Sequence, residues 1–141
     1  MTRYLALDVG EERIGVAISD ELGMLARPLT VLARVAGPSS FHELAEIIRR
    51  EGVTRIVVGL PLREDRTAGK QVASTEAYVR GLSEHVQTPI VYWDERYSTD
   101  RARDILRETS RRNRPARDDL DAVAAAVILQ DYIDSGAEEQ T

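Results

Sequence analysis

Short apolar runs separated by glycine and charged residues dominate the start of the chain, and their spacing is that of β-strands. Residues 4–8 form a continuous apolar run that ends in an acid, and residues 13–19 place apolar side chains at alternate positions. A third, looser run at 24–35 is interrupted by Pro28. Because connections this short favour antiparallel pairing, the sequence predicts a three-stranded meander.

After residue 40 the apolar spacing changes to a helical period and then alternates between helix and strand. Ser40 and Glu43 have the spacing of a capping box, which predicts that the first helix begins there. The predicted elements are, in order, a helix ending near Gly52, a strand at 55–59, a helix over about 70–84, a strand at 90–93, a helix capped by Ser98 or Thr99, a loop at 109–117 and a final helix from about Asp119. The predicted buried stripe of that final helix is Leu120, Val123, Ala124, Val127 and Ile128.

The order of these elements defines the fold class. A meander continued by two helix–strand units predicts an α/β fold with a five-stranded mixed sheet, in which an antiparallel three-strand meander joins two parallel strands and helices cover both faces. This is the layout of the ribonuclease H-like superfold. A chain of 141 residues suffices for one such domain. We therefore expect a single domain over 1–141, with a frayed tail from about residue 136.

Composition narrows the chemistry that the chain can perform. It has no cysteine and two histidines, which excludes thiolate sites and favours a cation with oxygen ligands, such as Mg²⁺ or Mn²⁺. The net charge is −5, yet residues 101–117 hold seven arginines against two acids. This basic segment suits nucleic-acid phosphates, although a solvated helix and loop is the alternative. No secretion signal or membrane-spanning segment is visible, so we expect a cytoplasmic protein without membrane contact.

Three acids stand where apolar runs begin or end, namely Asp8, Glu95 and Asp121. A carboxylate beside a core is costly unless something pairs with it, and three of them converging on one spot would hold a hard divalent cation. Asp118 shares a helix face with Asp121 if the helix begins early enough, and is a candidate fourth ligand. Two other interpretations stay open, because Asp8 can open a hairpin as an Asx-turn and acids at a helix N-terminus can act as caps.

Basic side chains near these acids are candidate contacts for a nucleic-acid backbone. The loop before the second helix offers backbone N–H groups together with Arg66 and Lys70, which could hold a phosphate, although a surface loop without a chemical role is the alternative. Arg96 could balance the charge of a metal site or bind a substrate phosphate. The predicted nucleic-acid contacts are Arg13, Arg66, Lys70, Arg96, Arg101, Arg107, Arg111, Arg112, Arg114 and Arg117.

Four short motifs occur in a fixed order between Leu5 and Tyr132. They are Leu7-Asp8-Val9-Gly10 with Arg13-Ile14-Gly15-Val16-Ala17, Val58-Gly59-Leu60-Pro61, Asp94-Glu95-Arg96 with Ser98-Thr99, and Asp121 with Ile128-Leu129-Gln130 and Tyr132. As a set they resemble the motifs of the YqgF/RuvX family of Holliday junction resolvases, also described as pre-16S rRNA nucleases. One departure is Arg66, where the family usually has glycine; arginine would stiffen the loop or strengthen its hold on a phosphate.

The resemblance implies a hydrolase that cleaves phosphodiester bonds with two Mg²⁺ or Mn²⁺ ions, held by Asp8, Glu95 and Asp121 as the catalytic acids. The implied reaction is processing of the 5′ end of pre-16S rRNA in ribosome biogenesis, with Holliday junction resolution in DNA recombination or repair as the alternative. Two further hypotheses are a phosphotransferase of the actin and sugar-kinase type and a non-catalytic ribosome-assembly factor that binds nucleic acid. RNA or DNA as substrate, endonuclease or exonuclease action, and monomer or homodimer all stay open.

Overall fold

A computed structural model describes residues 2–61, 69–95 and 119–136, which form five strands and three helices. The elements are β1 Tyr4–Val9, β2 Arg13–Ser19, β3 Ala26–Ala33, α1 Ser39–Glu51, β4 Arg55–Leu60, α2 Lys70–Ser83, β5 Ile90–Asp94 and α3 Asp119–Asp134. The helix and loop predicted between Ser98 and residue 117, and the tail after residue 136, lie outside the described residues. No helix within these described ranges is long and apolar enough to cross a membrane.

The five strands form one mixed sheet in the order β3-β2-β1-β4-β5. β1 and β3 pair antiparallel with β2, whereas β4 pairs parallel with β1 and with β5. The predicted meander and the two parallel strands are therefore confirmed. β3 accommodates Pro28 because the register shifts between Val16 and Ala17, and an edge strand leaves one side of its backbone without ladder hydrogen bonds.

The side chains of β1 alternate between two apolar layers, one on each face of the sheet. Leu5 and Leu7 pack with residues of α1 and α2. Tyr4 and Ala6 pack instead with residues of α3. The central strands are buried on both faces, and the predicted helices on both faces of the sheet are confirmed.

The predicted capping box at the start of α1 is wrong. Ser40 lies inside the helix, which begins at Ser39 after Pro38 and has no side-chain cap hydrogen bond. The Ser40 hydroxyl instead forms a buried 2.7 Å hydrogen bond with the Tyr78 hydroxyl on α2. A buried phenol needs a polar partner. The Ser40 hydroxyl fills this role for Tyr78 and is therefore not used as a helix cap.

The predicted buried stripe of α3 is also wrong at all of its positions except Ile128. Leu120 is 51% exposed, and Val123, Ala124 and Val127 are half-buried. The buried residues of this helix are Ala122, Ala125, Ala126, Ile128, Leu129, Asp131, Tyr132 and Ile133. The cause is a close approach to β2, where a Cβ added to Gly15 would lie 1.9 Å from the Asp121 carbonyl oxygen. At this end of the helix only small residues such as Ala122, Ala125 and Ala126 fit against the sheet, and the larger buried side chains follow from Ile128 onward.

Candidate metal site

Asp8 occupies the next-to-last position of β1, on the face of the sheet that α3 covers. Strand alternation gives it the same orientation as Ala6, which packs against α3. Across the ladder Asp8 pairs with Gly15 on β2. On the other side Leu7 pairs with Val58 on β4, and Asp8 and Gly59 are the next residues of these two strands. Glycine on both neighbouring strands lets the backbone of Asp121 and the side chain of Glu95 approach the sheet on either side of Asp8.

Glu95 follows β5 directly and reaches over the neighbouring strand. Trp93, two residues earlier on β5, packs against the α3 layer. A Cβ added to Gly59 would lie 2.8 Å from Glu95 Oε1 and 2.6 Å from Ile128 Cδ1. The Glu95 carboxyl therefore lies against the backbone of Gly59, toward Asp8.

Asp121 enters the site from the first turn of α3. Its Oδ2 accepts a 2.8 Å hydrogen bond from Arg13 Nε, with the two side chains 33% and 49% exposed. Arg13 is the first residue of β2, so this ion pair joins the start of α3 to the hairpin that carries Asp8. Arg13, predicted as a nucleic-acid contact, thus lies at the site and in contact with one of its acids.

Burial and mutual repulsion raise the pKa of two of these acids. Burial, with the charge of Asp121 adding to it, raises the pKa of Asp8 to about 6. Burial, followed by the charges of Asp8 and Asp94, raises the pKa of Glu95 to about 7. Asp8 is therefore the central member of the three acids, because it feels the charge of Asp121 and its own charge acts on Glu95. Carboxylates that repel one another in this way favour a bound cation.

The three carboxyl groups do not surround a common point in this structure. Within 2–61, 69–95 and 119–136, no group of three or more acidic or histidine side chains is arranged to hold a metal ion. The donor set itself suits a hard divalent cation, because all three side chains offer carboxylate oxygens. Asp121 Oδ2 meanwhile forms an ion pair with Arg13.

The raised pKa values predict how metal-free stability depends on pH. Asp8 and Glu95 have ordinary pKa values of 3.8 and 4.5 and higher ones in the fold, so the folded state binds their protons more tightly than the unfolded state. Their contribution to the free energy of unfolding is therefore fully present below about pH 4 and is lost as the pH rises through 6 and 7. We expect the melting temperature in EDTA to fall between pH 5 and pH 8.

Scanning fluorimetry across this pH range measures the effect, and Mn²⁺ should reverse it at pH 8. A variant with both Asp8→Asn and Glu95→Gln serves as the control and should show a flatter profile. An equal slope in this variant would mean that other groups cause the pH dependence.

The remaining predicted site residues divide into two groups. Lys70 is the exposed first residue of α2, after the N-cap residue Gly69. The others lie outside the described residues, namely Asp118, Arg66, Arg96, Arg101, Arg107, Arg111, Arg112, Arg114 and Arg117. Sequence reasoning missed Arg34, which donates a hydrogen bond to the carbonyl of Gly10 in the turn after Asp8. No local pattern marks it, because its partners are distant in sequence.

Comparison with a solved structure identifies the class of this fold. The structure of T. thermophilus RuvC in complex with a Holliday junction substrate matches with a TM-score of 0.59 and 14% identity, covering 96% of this chain and 97% of that one. The sheet order, the helices on both faces and this match confirm a ribonuclease H-like fold of the kind found in resolvases of the RuvC type.

The sequence identifies the particular family. The family model RuvX, described as Holliday junction resolvase, matches residues 2–135. A relative from Symbiobacterium thermophilum named "Putative pre-16S rRNA nuclease" is 44% identical, covering 96% of this chain and 94% of its own length. A relative of the same name from Syntrophus aciditrophicus is 38% identical, covering 98% of this chain and 92% of its own length. The chain belongs to the RuvX family of nucleases.

Proposed function

We propose that this protein is a nuclease that depends on a divalent metal ion and hydrolyses phosphodiester bonds in pre-16S rRNA, at the 5′ end of the mature sequence. The observation that carries the proposal is the proximity of Asp8, Glu95 and Asp121, in which two half-buried carboxyls have raised pKa values. Family membership supports nuclease chemistry over the phosphotransferase hypothesis. The names of the relatives support the choice of RNA.

Asp8, Glu95 and Asp121 would hold the cation, Mg²⁺ or Mn²⁺, with Asp8 central and Asp118 a candidate fourth ligand. When bound, such a cation supplies a Lewis acid for the phosphodiester and lowers the pKa of the attacking water. Asp8 and Glu95 must lose their protons to act as ligands, and both do so between about pH 6 and 7. Cation binding should therefore strengthen as the pH rises through this range.

Arg13 has two successive roles in this proposal. Without a cation it neutralises Asp121 through the 2.8 Å hydrogen bond. Once a cation takes over that neutralisation, the half-exposed guanidinium lies beside the site with donors suited to a substrate phosphate. Lys70 and the arginines of segment 101–117 would hold the nucleic-acid backbone, which predicts strong salt dependence and little sequence information.

Holliday junction resolution is the second candidate function. It is favoured by the description of the matching family model and by the shared fold with RuvC. A symmetric junction requires two cuts related by a two-fold axis, so this function also predicts a homodimer. The third hypothesis, a non-catalytic assembly factor, predicts nucleic-acid binding that survives loss of all three acids.

A cleavage panel tests the proposal directly. Purified protein is incubated with pre-16S rRNA fragments, single strands, duplex and a four-way DNA junction, each with Mg²⁺, with Mn²⁺ and with EDTA. We expect cleavage of the rRNA precursor near the mature 5′ end, only with metal, and falling as salt rises. Preferred cutting of the junction would select the resolvase alternative. Binding without any metal-dependent product would select the assembly factor.

A further inference from the structure

Arg34 directly follows β3 and connects the turn after Asp8 to helix α2. Its Nη1 donates to the Gly10 carbonyl oxygen at 3.0 Å and to Ser74 Oγ at 2.8 Å, and its Nη2 donates to the Ser74 carbonyl oxygen at 3.1 Å. The Arg34 backbone N–H donates to the Glu12 carbonyl oxygen at 2.8 Å. One residue therefore contacts the β1–β2 turn, defined as residues 10–12, at two points.

This turn lies between two parts of the candidate site. Asp8 precedes Gly10 by two residues, and Arg13, the partner of Asp121, follows the turn directly. The turn is closed by a 2.9 Å hydrogen bond from the Gly10 N–H to the Arg13 carbonyl oxygen. A displacement of the turn would move the Asp8 carboxyl and the Arg13–Asp121 pair together.

The surroundings of Arg34 hold its guanidinium in one place. The guanidinium carbon lies 5.2 Å from the centroid of the Tyr78 ring on α2, within the range of a cation–π contact. The Tyr78 hydroxyl is in turn fixed by Ser40 on α1. A planar group with several fixed donors can reach three acceptors while lying on a ring, which the compact ammonium of lysine cannot reproduce.

We propose that Arg34 is a positioning residue for the nuclease site, which sets the place of the β1–β2 turn, and with it Asp8, relative to α2. This inference rests on the proposed function for its effect on metal binding. Arg34 does not touch the acids. It fixes the turn between Asp8 and Arg13, the partner of Asp121, and a loose turn leaves the end of β1 that carries Asp8 less well fixed for a cation.

Three variants separate positioning from general stability. Arg34→Met removes every guanidinium contact and retains an apolar stem. Tyr78→Phe removes the hydroxyl partner of the buried Ser40 but leaves a ring beneath Arg34, so it should lower stability without moving the turn. Arg27→Met removes an exposed arginine from β3, the strand that precedes Arg34, and controls for the loss of one positive charge.

The first measurement is the affinity for Mn²⁺ alone, by calorimetry and by quenching of Trp93, the single tryptophan. We expect Arg34→Met to raise the Kd for Mn²⁺ at least tenfold and to lower kcat more than it changes KM. Tyr78→Phe and Arg27→Met should keep the Kd within twofold. Equal Mn²⁺ affinity in Arg34→Met and Tyr78→Phe would overturn the proposal.

The second measurement is amide hydrogen exchange of the metal-free protein. Arg34→Met should speed exchange at least tenfold in residues 9–13, and Tyr78→Phe should leave this turn protected. Faster exchange spread evenly over the protein in Arg34→Met would show a merely structural role. If the wild-type protein binds no Mn²⁺ but the exchange effect is confined to the turn, the proposed function fails and the positioning role stands.

Discussion

Replacing Asp8 with asparagine is expected to remove metal-dependent cleavage while making the metal-free protein more stable above pH 7. The pKa of Asp8 is raised to about 6 by burial and by Asp121, so ionising this carboxyl at pH 8 costs the fold about 3 kcal/mol. Asparagine has nearly the same shape and no charge to ionise. It also provides a much poorer ligand for a hard cation, and we expect the cleavage rate to fall at least about a thousandfold, or about 4 kcal/mol in the barrier.

The two effects are measured on the same sample, by thermal melts in EDTA at pH 8 and pH 5 and by cleavage with Mn²⁺. The stability gain should shrink at pH 5, where Asp8 is already protonated. Asp20→Ala is the matched control, because Asp20 Oδ1 accepts the backbone N–H groups of Met24 and Leu25, which lowers the pKa of this carboxyl. That variant should lose stability and keep its cleavage activity. If Asp8→Asn is instead less stable than the wild type at pH 8, the Asp8 carboxylate is part of a structural turn.

This opposition of stability and activity follows from where the acids lie in the fold. A half-buried carboxyl at the end of a central strand, facing α3, is a poor choice for folding alone. The fold tolerates it because Arg13 neutralises Asp121 and because the raised pKa values keep Asp8 protonated up to about pH 6 and Glu95 up to about pH 7. Residues that carry function commonly break local rules of stability in this way.

Periodicity predicted the strands and helices of the described residues closely, because both central layers are built from regular alternation. β2 covers Arg13–Ser19, as expected, and α1 ends before Gly52, whose φ of 66° is left-handed. The predictions that are wrong concern positions where contacts between distant elements determine the structure. Ser40 pairs with Tyr78 on another helix, and the buried face of α3 is set by its distance from Gly15. Neither contact leaves a signal in the local pattern.

The candidate site was predictable in its acids and less so in its supporting residues. Asp8 and Glu95 stand out because each follows an apolar run. The fold brings them close enough for the charge of Asp8 to raise the pKa of Glu95. Arg13 and Asp121 are 108 positions apart, so their pairing could be read only from the structure. The same holds for Arg34, whose side-chain partners on the turn and on α2 are 24 and 40 positions away.

Gly15 is the point where the fold and the site depend on the same contact, and adding one methyl group there should disturb both. A Cβ at Gly15 would lie 1.9 Å from the carbonyl oxygen of Asp121 and 3.0 Å from the backbone nitrogen of Ala122. Both atoms belong to the backbone of α3, so no side-chain rotation relieves the clash. We expect Gly15→Ala to lower the free energy of unfolding by about 3 kcal/mol, the upper end of the usual range for overpacking.

Chemical denaturation measures this loss, and Gly69→Ala is the matched control. Gly69 has nothing within 4 Å of an added Cβ and a φ of −76° that alanine adopts freely, so its substitution should cost at most about 1 kcal/mol as a change of helix cap. Any folded Gly15→Ala protein must have moved the start of α3 away from β2, which carries Asp121 away from Asp8. Its Mn²⁺ affinity should therefore fall together with its stability. Wild-type stability in Gly15→Ala would show that α3 does not approach the sheet this closely, and the three acids would then lack the frame that brings them together.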